Sequence, residues 1–322
     1  MTDILVEKLK KTFQVKSKKQ TGLFRTFFPK THEFSALKEI SFAVEKGERV
    51  AFIGPNGSGK STTIKILTSI LYPTSGHAEV LGFVPWENRA KIVPHIGVVF
   101  GQRSQLFFHL PVIDSFNLLA GAYDIPLSVY KRRLSKLVSL LQVKEYVKKS
   151  VRQLSLGERM RCELIASLLH NPKILFLDEP TIGLDVISKN IIREFIKEIS
   201  EEQKTTLLLT SHDTVDMESV CQRAVVINRG EIILDSPIPK IKREYLKKKI
   251  ITVVSDKPDM DIAVAHASVV HREAFLVKLE IDVSQVPLNE TLGKITSFPG
   301  VVDVSVENPS MEEVIRDIYL KG

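Results

Sequence analysis

Between Phe52 and Ile64 the chain reads Phe-Ile-Gly-Pro-Asn-Gly-Ser-Gly-Lys-Ser-Thr-Thr-Ile, and no other stretch restricts its fold as tightly. Gly54 to Ser61 fits the pattern G-x-x-x-x-G-K-[ST]. Glycines let a loop pass close to phosphate oxygens without side-chain clash, and successive backbone N–H groups then form a nest for an anion. Gly54, Pro55, Asn56, Gly57, Ser58 and Gly59 make that loop, and Lys60 is placed to reach the β and γ phosphates. The Ser61 hydroxyl can ligate Mg²⁺, and Thr62 carries the chain into a helix whose positive dipole end faces the same anion. Val50 to Ile53 suits a buried strand, and Ile66, Leu67, Ile70 and Leu71 have helical spacing. A strand, a glycine-rich loop and a helix in this order imply nucleoside triphosphate binding on a parallel α/β core.

A length of 322 residues suits one large domain, or a large one and a small one. With 43% hydrophobic and 26% charged residues the composition is that of a globular protein, and a formal charge of +7 permits contact with anionic lipid or nucleic acid without demanding either. Met1-Thr2-Asp3 opens no signal-peptide core, and no apolar run approaches the roughly 18 residues of a membrane span. A cytoplasmic chain is expected, and any membrane role would run through a partner. Cys162 and Cys221 lie far apart without ligand spacing, which implies two buried thiols in a reducing compartment.

Along the chain, Ile4 to Val15 reads as a first strand. Lys16 to Phe34 is basic and aromatic, with Lys18, Lys19, Arg25 and Lys30 around Leu23, Phe24, Phe27 and Phe28; it is either a solvated loop or a surface for a membrane or membrane subunit. Ala36 to Val44 alternates like a half-buried strand. Tyr72 to Gly76 is a turn cluster, followed by a short strand at Val80-Leu81-Gly82 and a buried strand at Ile96 to Phe100. From Arg103 to Arg152 the pattern is helical, with Tyr130, Leu134, Leu137 and Leu141 on one face. Another helix opens at Leu154 to Glu158, carries Met160, Leu164 and Leu168 on one face and stops before Pro172. Unbroken apolar runs at Ile174 to Leu177 and Thr206 to Thr210 suit strands covered on both faces. Ala224 to Ile227 and Ile232 to Leu234 read as closing strands about an Asn228-Arg229-Gly230 turn. The charged stretch 238–249 reads as a linker, and 250–322 as a small α+β domain with strands at Ile250 to Val254, Phe275 to Ile281 and Val301 to Val306.

Several polar residues fall where these strands end, which is where open α/β sheets collect ligands. Asp178 follows the apolar strand, as a carboxylate holding Mg²⁺ would, and Glu179 is next to it, placed to polarise an attacking water. A lone Asp-Glu-Pro is as well read as a polar strand end. Gln102 ends another core strand, and its amide oxygen could join the metal or water shell. His212 lies just beyond the Thr206 to Thr210 run; a lone histidine is more often structural, but its position beside the other strand ends favours catalysis.

With these elements in this order, residues 1 to about 235 resemble the nucleotide-binding subunit of an ATP-binding cassette (ABC) transporter. The markers are Gly54 to Ser61 (Walker A), Gln102 (Q-loop), Leu154 to Glu158 (signature), Ile174 to Glu179 (Walker B with the catalytic Glu), Gly183-Leu184-Asp185 (D-loop) and His212 (switch). The resemblance implies a P-loop ABC cassette over 1–237, with a parallel core sheet, an antiparallel β subdomain and a helical subdomain at about 103–157. It implies an Mg²⁺-dependent ATPase with ATP as its nucleotide. Ser61, Gln102 and Asp178 would serve the metal, and Glu179, His212, Gln102 and Lys60 the catalysis. Two cassettes would pair head to tail, so that Ser155 and Gly157 of one meet the γ-phosphate held by the other, with Asp185 at the same junction. Phe13 would stack on adenine, with Phe34 as second candidate. Leu156 and Glu158 depart from the usual signature, where Gly and Gln are common. The arrangement, with Pro309 to Val314 near the end, is most similar to exporter-type cassettes that serve a separate integral membrane subunit. Such a chain sits on the inner face of the cell membrane, and no nucleic acid partner is expected. A soluble ABC ATPase acting on nucleic acid or ribosomes is the alternative; those chains usually carry two cassettes or a long coiled coil. A non-hydrolysing regulatory cassette is disfavoured by Glu179, His212 and Ser155.

Overall fold

The computed structural model describes residues 1–16, 31–101, 103–245 and 248–321. Most of the basic, aromatic stretch at Lys16 to Phe34 lies outside the described residues, including Lys18, Lys19, Leu23, Phe24, Arg25, Phe27, Phe28 and Lys30, and so does Gln102. The chain divides into two compact units, Met1–Ser236 and Pro237–Gly322.

The strands of the first unit are β1 (Thr2–Lys16), β2 (Thr31–Glu45), β3 (Arg49–Ile53), β4 (Ser75–Val80), β5 (Ile96–Phe100), β6 (Ile174–Asp178), β7 (Thr206–Ser211), β8 (Arg223–Asn228) and β9 (Glu231–Pro237). Its helices are α1 (Lys60–Leu67), α2 (Arg89–Ile92), α3 (Val112–Ala122), α4 (Leu127–Leu140), α5 (Leu156–Leu168), α6 (Val186–Gln203) and α7 (Thr214–Val220). The expected parallel core is a six-stranded sheet of order β5-β6-β7-β3-β8-β9, with β5, β6, β7, β3 and β8 parallel to one another. β6 and β7 are apolar and buried on both faces, as parallel strands sandwiched between layers must be. A three-stranded antiparallel sheet, β2-β1-β4, shares one core with it, in which Ile4, Val6, Leu37 and Phe42 join Phe52, Ile64 and Phe176.

The chain turns differ from expectation in three places. The short strand expected at Val80-Leu81-Gly82 is β4 instead, and it ends at Val80; Leu81 (φ 55°) and Gly82 (φ 77°) leave the strand as a turn. Between Arg103 and Arg152 only α3 and α4 are α-helical, and α4 buries Tyr130 and Leu137 while Leu141 closes its C-terminus. From Met160 to Leu168 α5 is buried on every side rather than on one face, because its polar residues find partners: Arg161 donates to the Leu141 carbonyl (3.2 Å) and Glu163 accepts from the Gln105 N–H (3.1 Å) and the Ser104 hydroxyl. Burial and that low-dielectric setting raise the Glu163 carboxyl above its ordinary range. Cys162 and Cys221 are both buried and unpaired, and burial pushes the Cys162 thiol up to about 12 and Cys221 up as well.

In the second unit α8 (Ile238–Tyr245) occupies most of the stretch expected as a linker. Pro239 is tolerated in its first turn, and Ile238 and Ile241, three apart, are both buried. The strands are β10 (Lys248–Ser255), β11 (Ala267–Glu273), β12 (Leu276–Asp282) and β13 (Val301–Glu307), with α9 (Leu288–Thr296) and α10 (Met311–Lys321). They form an antiparallel sheet of order β11-β12-β10-β13. Its register pairs Ile251 with Leu279 and Val253 with Val277, and these pack with Ile281 and Ile295 into a separate core. β11 escapes sequence reading because all but its first residue are exposed, leaving no apolar alternation. Among the described residues, no helix is long and apolar enough to cross a membrane.

The packing of α5 on β5 requires a glycine. A Cβ on Gly97 would meet the Ser167 carbonyl oxygen at 2.4 Å and Leu175 Cδ1 at 3.0 Å. Gly97→Ala is expected to lower unfolding free energy by about 1–3 kcal/mol. Equilibrium urea denaturation measures this, and an unchanged midpoint would show that helix and strand do not meet as described.

Candidate nucleotide and catalytic site

The site is built where β3, β6 and β7 end. After β3 the loop turns at Gly57 (φ 82°) and again at Gly59 (φ 115°), the N-cap of α1. Gly59 is required twice over: its φ is left-handed, and a Cβ there would meet the Ala36 carbonyl oxygen at 2.7 Å. A Cβ on Gly54 would lie 2.3 Å from the Ile227 carbonyl oxygen. The loop therefore hugs the sheet, and the first N–H groups of α1 have no intrahelical acceptors.

Lys60, only 4% exposed, donates from Nζ to the carbonyls of Gly54 (2.7 Å) and Pro55 (3.2 Å) and lies 3.4 Å from Glu179 Oε1. Ser61 Oγ donates to Asp178 Oδ1 (3.0 Å), which also accepts from Thr210 Oγ1 (2.7 Å). Glu179 adopts φ 54°, a left-handed conformation costing a non-glycine roughly 1–3 kcal/mol. Its N–H holds that turn by donating to both the carbonyl and the hydroxyl of Thr210, at 3.1 Å each. The turn brings Glu179 Oε2 to 3.6 Å from His212 Nδ1, across from Lys60. Thr210 is the site residue that sequence reading missed, taken only for a strand end; a threonine closing an otherwise apolar run was the available signal.

Lys60, Ser61, Asp178 and Glu179 line a cavity of about 450 Å³, while Thr210 and His212 meet it only through their contacts with Asp178 and Glu179. One end is aromatic: Phe13 and Phe34 stand opposite each other across β1 and β2, and both line it, with Lys11 Nζ 5.0 Å from the Phe13 ring centre. The other end is the loop, with Asn56, Gly57, Lys60, Ser61 and Thr62 facing Asp178 and Glu179. Gly101 and Arg103, on either side of Gln102, also line it. Other cavities of about 540 and 750 Å³ are larger, but neither contains a P-loop residue. The smaller space is the one whose lining fits a nucleotide. An aromatic end suits a base, and a cradle of N–H groups with an ammonium suits phosphates. The Ser61 hydroxyl and Asp178 carboxylate are hard oxygen donors that fit Mg²⁺. Among the described residues, buried Ser58 Oγ has no hydrogen-bond partner.

Ser155, Gly157 and Asp185 do not line this cavity. Ser155 is the N-cap of α5, accepting from the Glu158 N–H (3.2 Å) while Glu158 accepts from the Ser155 N–H (2.8 Å). Glutamate serves this capping box as well as glutamine does, which accounts for Glu158. Asp185 caps α6, accepting from the N–H (2.9 Å) and hydroxyl (2.7 Å) of Ser188, and these bonds hold its carboxyl below the ordinary range. A Cβ on Gly157 would sit 2.4 Å from Ser188 Oγ, so the two loops adjoin.

The model of the ABC transporter family matches residues 37–182. ABC transporter ATP-binding protein NatA of Bacillus subtilis (strain 168) is 33% identical over 66% of this chain and 86% of its own length. The chain belongs to the ABC transporter ATP-binding proteins. Linearmycin resistance ATP-binding protein LnrL of the same organism is 28% identical over 88% of this chain and 93% of its own. The ATP-binding cassette MJ0796, solved as a dimer in a post-hydrolysis state bound to ADP and Pi, shares the fold, with a TM-score of 0.61 and 24% identity over 73% of this chain and 98% of its own. The chain is thus an ABC-type ATPase, an ATP-driven transporter subunit. The likeness in fold runs beyond the residues that the family model matches, since it covers 73% of this chain.

Lys60→Ala removes the one buried cation from this cassette's loop. ATP affinity should fall about 10- to 100-fold, as expected for losing charge-assisted hydrogen bonds. Titration with a fluorescent ATP analogue measures this, and unchanged affinity in a folded variant would exclude the loop as the phosphate site.

Proposed function

We propose that this ABC ATPase hydrolyses Mg·ATP as one of two head-to-tail cassettes and energises an exporter-type transporter through a separate integral membrane subunit. The observation that carries the reading is the meeting of Lys60 and Glu179 in the cavity, beside Ser61 and Asp178, with His212 against the far oxygen of Glu179. Phe13, with Phe34 beside it, would hold the adenine. The loop N–H groups from Asn56 to Thr62 and the Lys60 ammonium would hold the phosphates. Mg²⁺, held by Ser61, Asp178 and Gln102, would neutralise charge on the β and γ oxygens. Glu179 would orient the attacking water and accept its proton as the bond to the γ-phosphorus forms and the bond to the bridging oxygen breaks. His212 would donate to the γ-phosphate, its orientation supported by Glu179. Preorganised donors of this kind supply most of the stabilisation in phosphoryl transfer.

Ser155 and Gly157 lie away from their own chain's cavity, which fits their serving a partner's γ-phosphate across a dimer, with Asp185 at the junction. Phe107, Phe108 and Leu118 are about half exposed on the segment leading into and along α3, which suits contact with an apolar partner. The similarity to a resistance protein such as LnrL supports export.

Glu179→Gln should bind ATP with affinity near wild type and hydrolyse it about 10²–10⁴-fold more slowly. It should also elute as a dimer in Mg·ATP on size-exclusion chromatography. Wild-type turnover in this variant would remove Glu179 from the mechanism, and an ATP-bound monomer, alone and with the co-isolated membrane subunit, would count against the paired cassettes.

A further inference from the structure

His212 is held in place by its neighbours rather than by its own burial. Its ring is 53% exposed, so packing does not fix it. Ser211 before it and Asp213 after it are both tied to one buried ion pair. Asp216, in the first turn of α7 and 1% exposed, accepts from Ser211 Oγ (2.7 Å), Thr181 Oγ1 (2.5 Å) and Arg193 Nε (2.6 Å). Arg193, on α6, also donates from Nη2 to Asp213 Oδ2 (2.9 Å), which takes a second bond from Lys189 (2.8 Å). Asp213 in turn caps α7 through the Val215 N–H (3.0 Å).

One guanidinium thus joins the residues that follow His212, Asp213 and Asp216, while Asp216 joins Ser211 before it and Thr181, two residues past Glu179. The guanidinium bridges the two carboxylates with donors fixed in one plane, a direction-setting geometry that an ammonium on a flexible stem does not impose. A buried ion pair is a weak source of net stability, and geometric definition is its better attested use. Here the geometry defined is that of the two acid–base groups of the site, Glu179 and His212, 3.6 Å apart. The same helix begins at Asp185, so the loop expected to face a partner cassette and the loop that carries His212 hang on one element.

We propose that Arg193 and Asp216 are positioning residues for His212: they hold the switch loop so that its imidazole stays against Glu179 during hydrolysis. This rests on the roles proposed above for those two residues.

A double-mutant cycle in hydrolysis rate tests it, on the full chain with any membrane subunit that co-isolates. Arg193→Lys keeps the charge but loses the fork. It should lower kcat about tenfold, since small misplacements of catalytic groups are costly, and leave ATP affinity within about twofold. In a His212→Ala background the same substitution should have no further effect, because residues acting as a unit are not additive. Asp216→Asn should behave alike, and covers the case in which one variant folds poorly, which thermal unfolding would reveal. If Arg193→Lys and His212→Ala multiply, or if Arg193→Lys and Asp216→Asn leave kcat unchanged, the positioning role is overturned. If His212→Ala alone turns over at the wild-type rate, the role of His212 itself fails, and the inference falls with it.

Discussion

The structure depends on one buried ammonium. Lys60 lies at the start of α1, almost out of reach of water, and a cation there must be surrounded by oxygen. Two loop carbonyls and the Glu179 carboxylate do this. To provide them, the loop must fold back at Gly59, and the chain after β6 must turn left-handed at Glu179. That second turn is held by Thr210 on β7, which also braces Asp178 against Ser61. The sheet order β5-β6-β7-β3-β8-β9 makes this possible, because it sets the ends of β6 and β7 beside the end of β3, the strand that feeds the loop. Lys60, Asp178, Glu179 and the glycine-rich loop are therefore brought together by a single crossing pattern.

How much of this the sequence disclosed follows from how local each signal is. The phosphate loop was legible because its glycines answer to backbone geometry and its Lys and Ser to chemistry within eight residues. Asp178 and Glu179 were legible because four apolar residues point at them. Both aromatic candidates, Phe13 and Phe34, turned out to share the same end of the cavity, since they pair across one strand register that the insertion between them hides. The left-handed turn at Glu179 was not legible, because no residue type announces it and Thr210, 31 residues away, maintains it. Nor was the burial of α5 from Met160 onward, whose Arg161 and Glu163 look solvent-facing until distant carbonyls and N–H groups satisfy them. The helix within the stretch expected as a linker was masked by its charge, with only Ile238 and Ile241 to mark a face.

The two departures in the signature stretch differ in weight. Glu158 keeps a reciprocal cap with Ser155 that glutamine would also make. Leu156 is half exposed and lies close to Gly183, where an added Cβ would meet its Cδ2 at 3.2 Å, so the larger residue is accommodated by a glycine opposite. Ser155 and Gly157, the two positions that would face a partner's nucleotide, are left in an ordinary helix start. Together with the contact of Gly157 and Ser188, this makes the signature and the Asp185 loop one continuous surface of the cassette.

In the proposed function the strand ends of this chain form a single nucleotide site that a second cassette completes. A structure of the Glu179→Gln protein with Mg·ATP tests it most directly. Adenine is expected against Phe13 or Phe34, the triphosphate along residues 56–62, and the Ser155–Gly157 turn of a second copy over the γ-phosphate. Nucleotide bound in another cavity, or held at this one with no second cassette against it, would contradict the account.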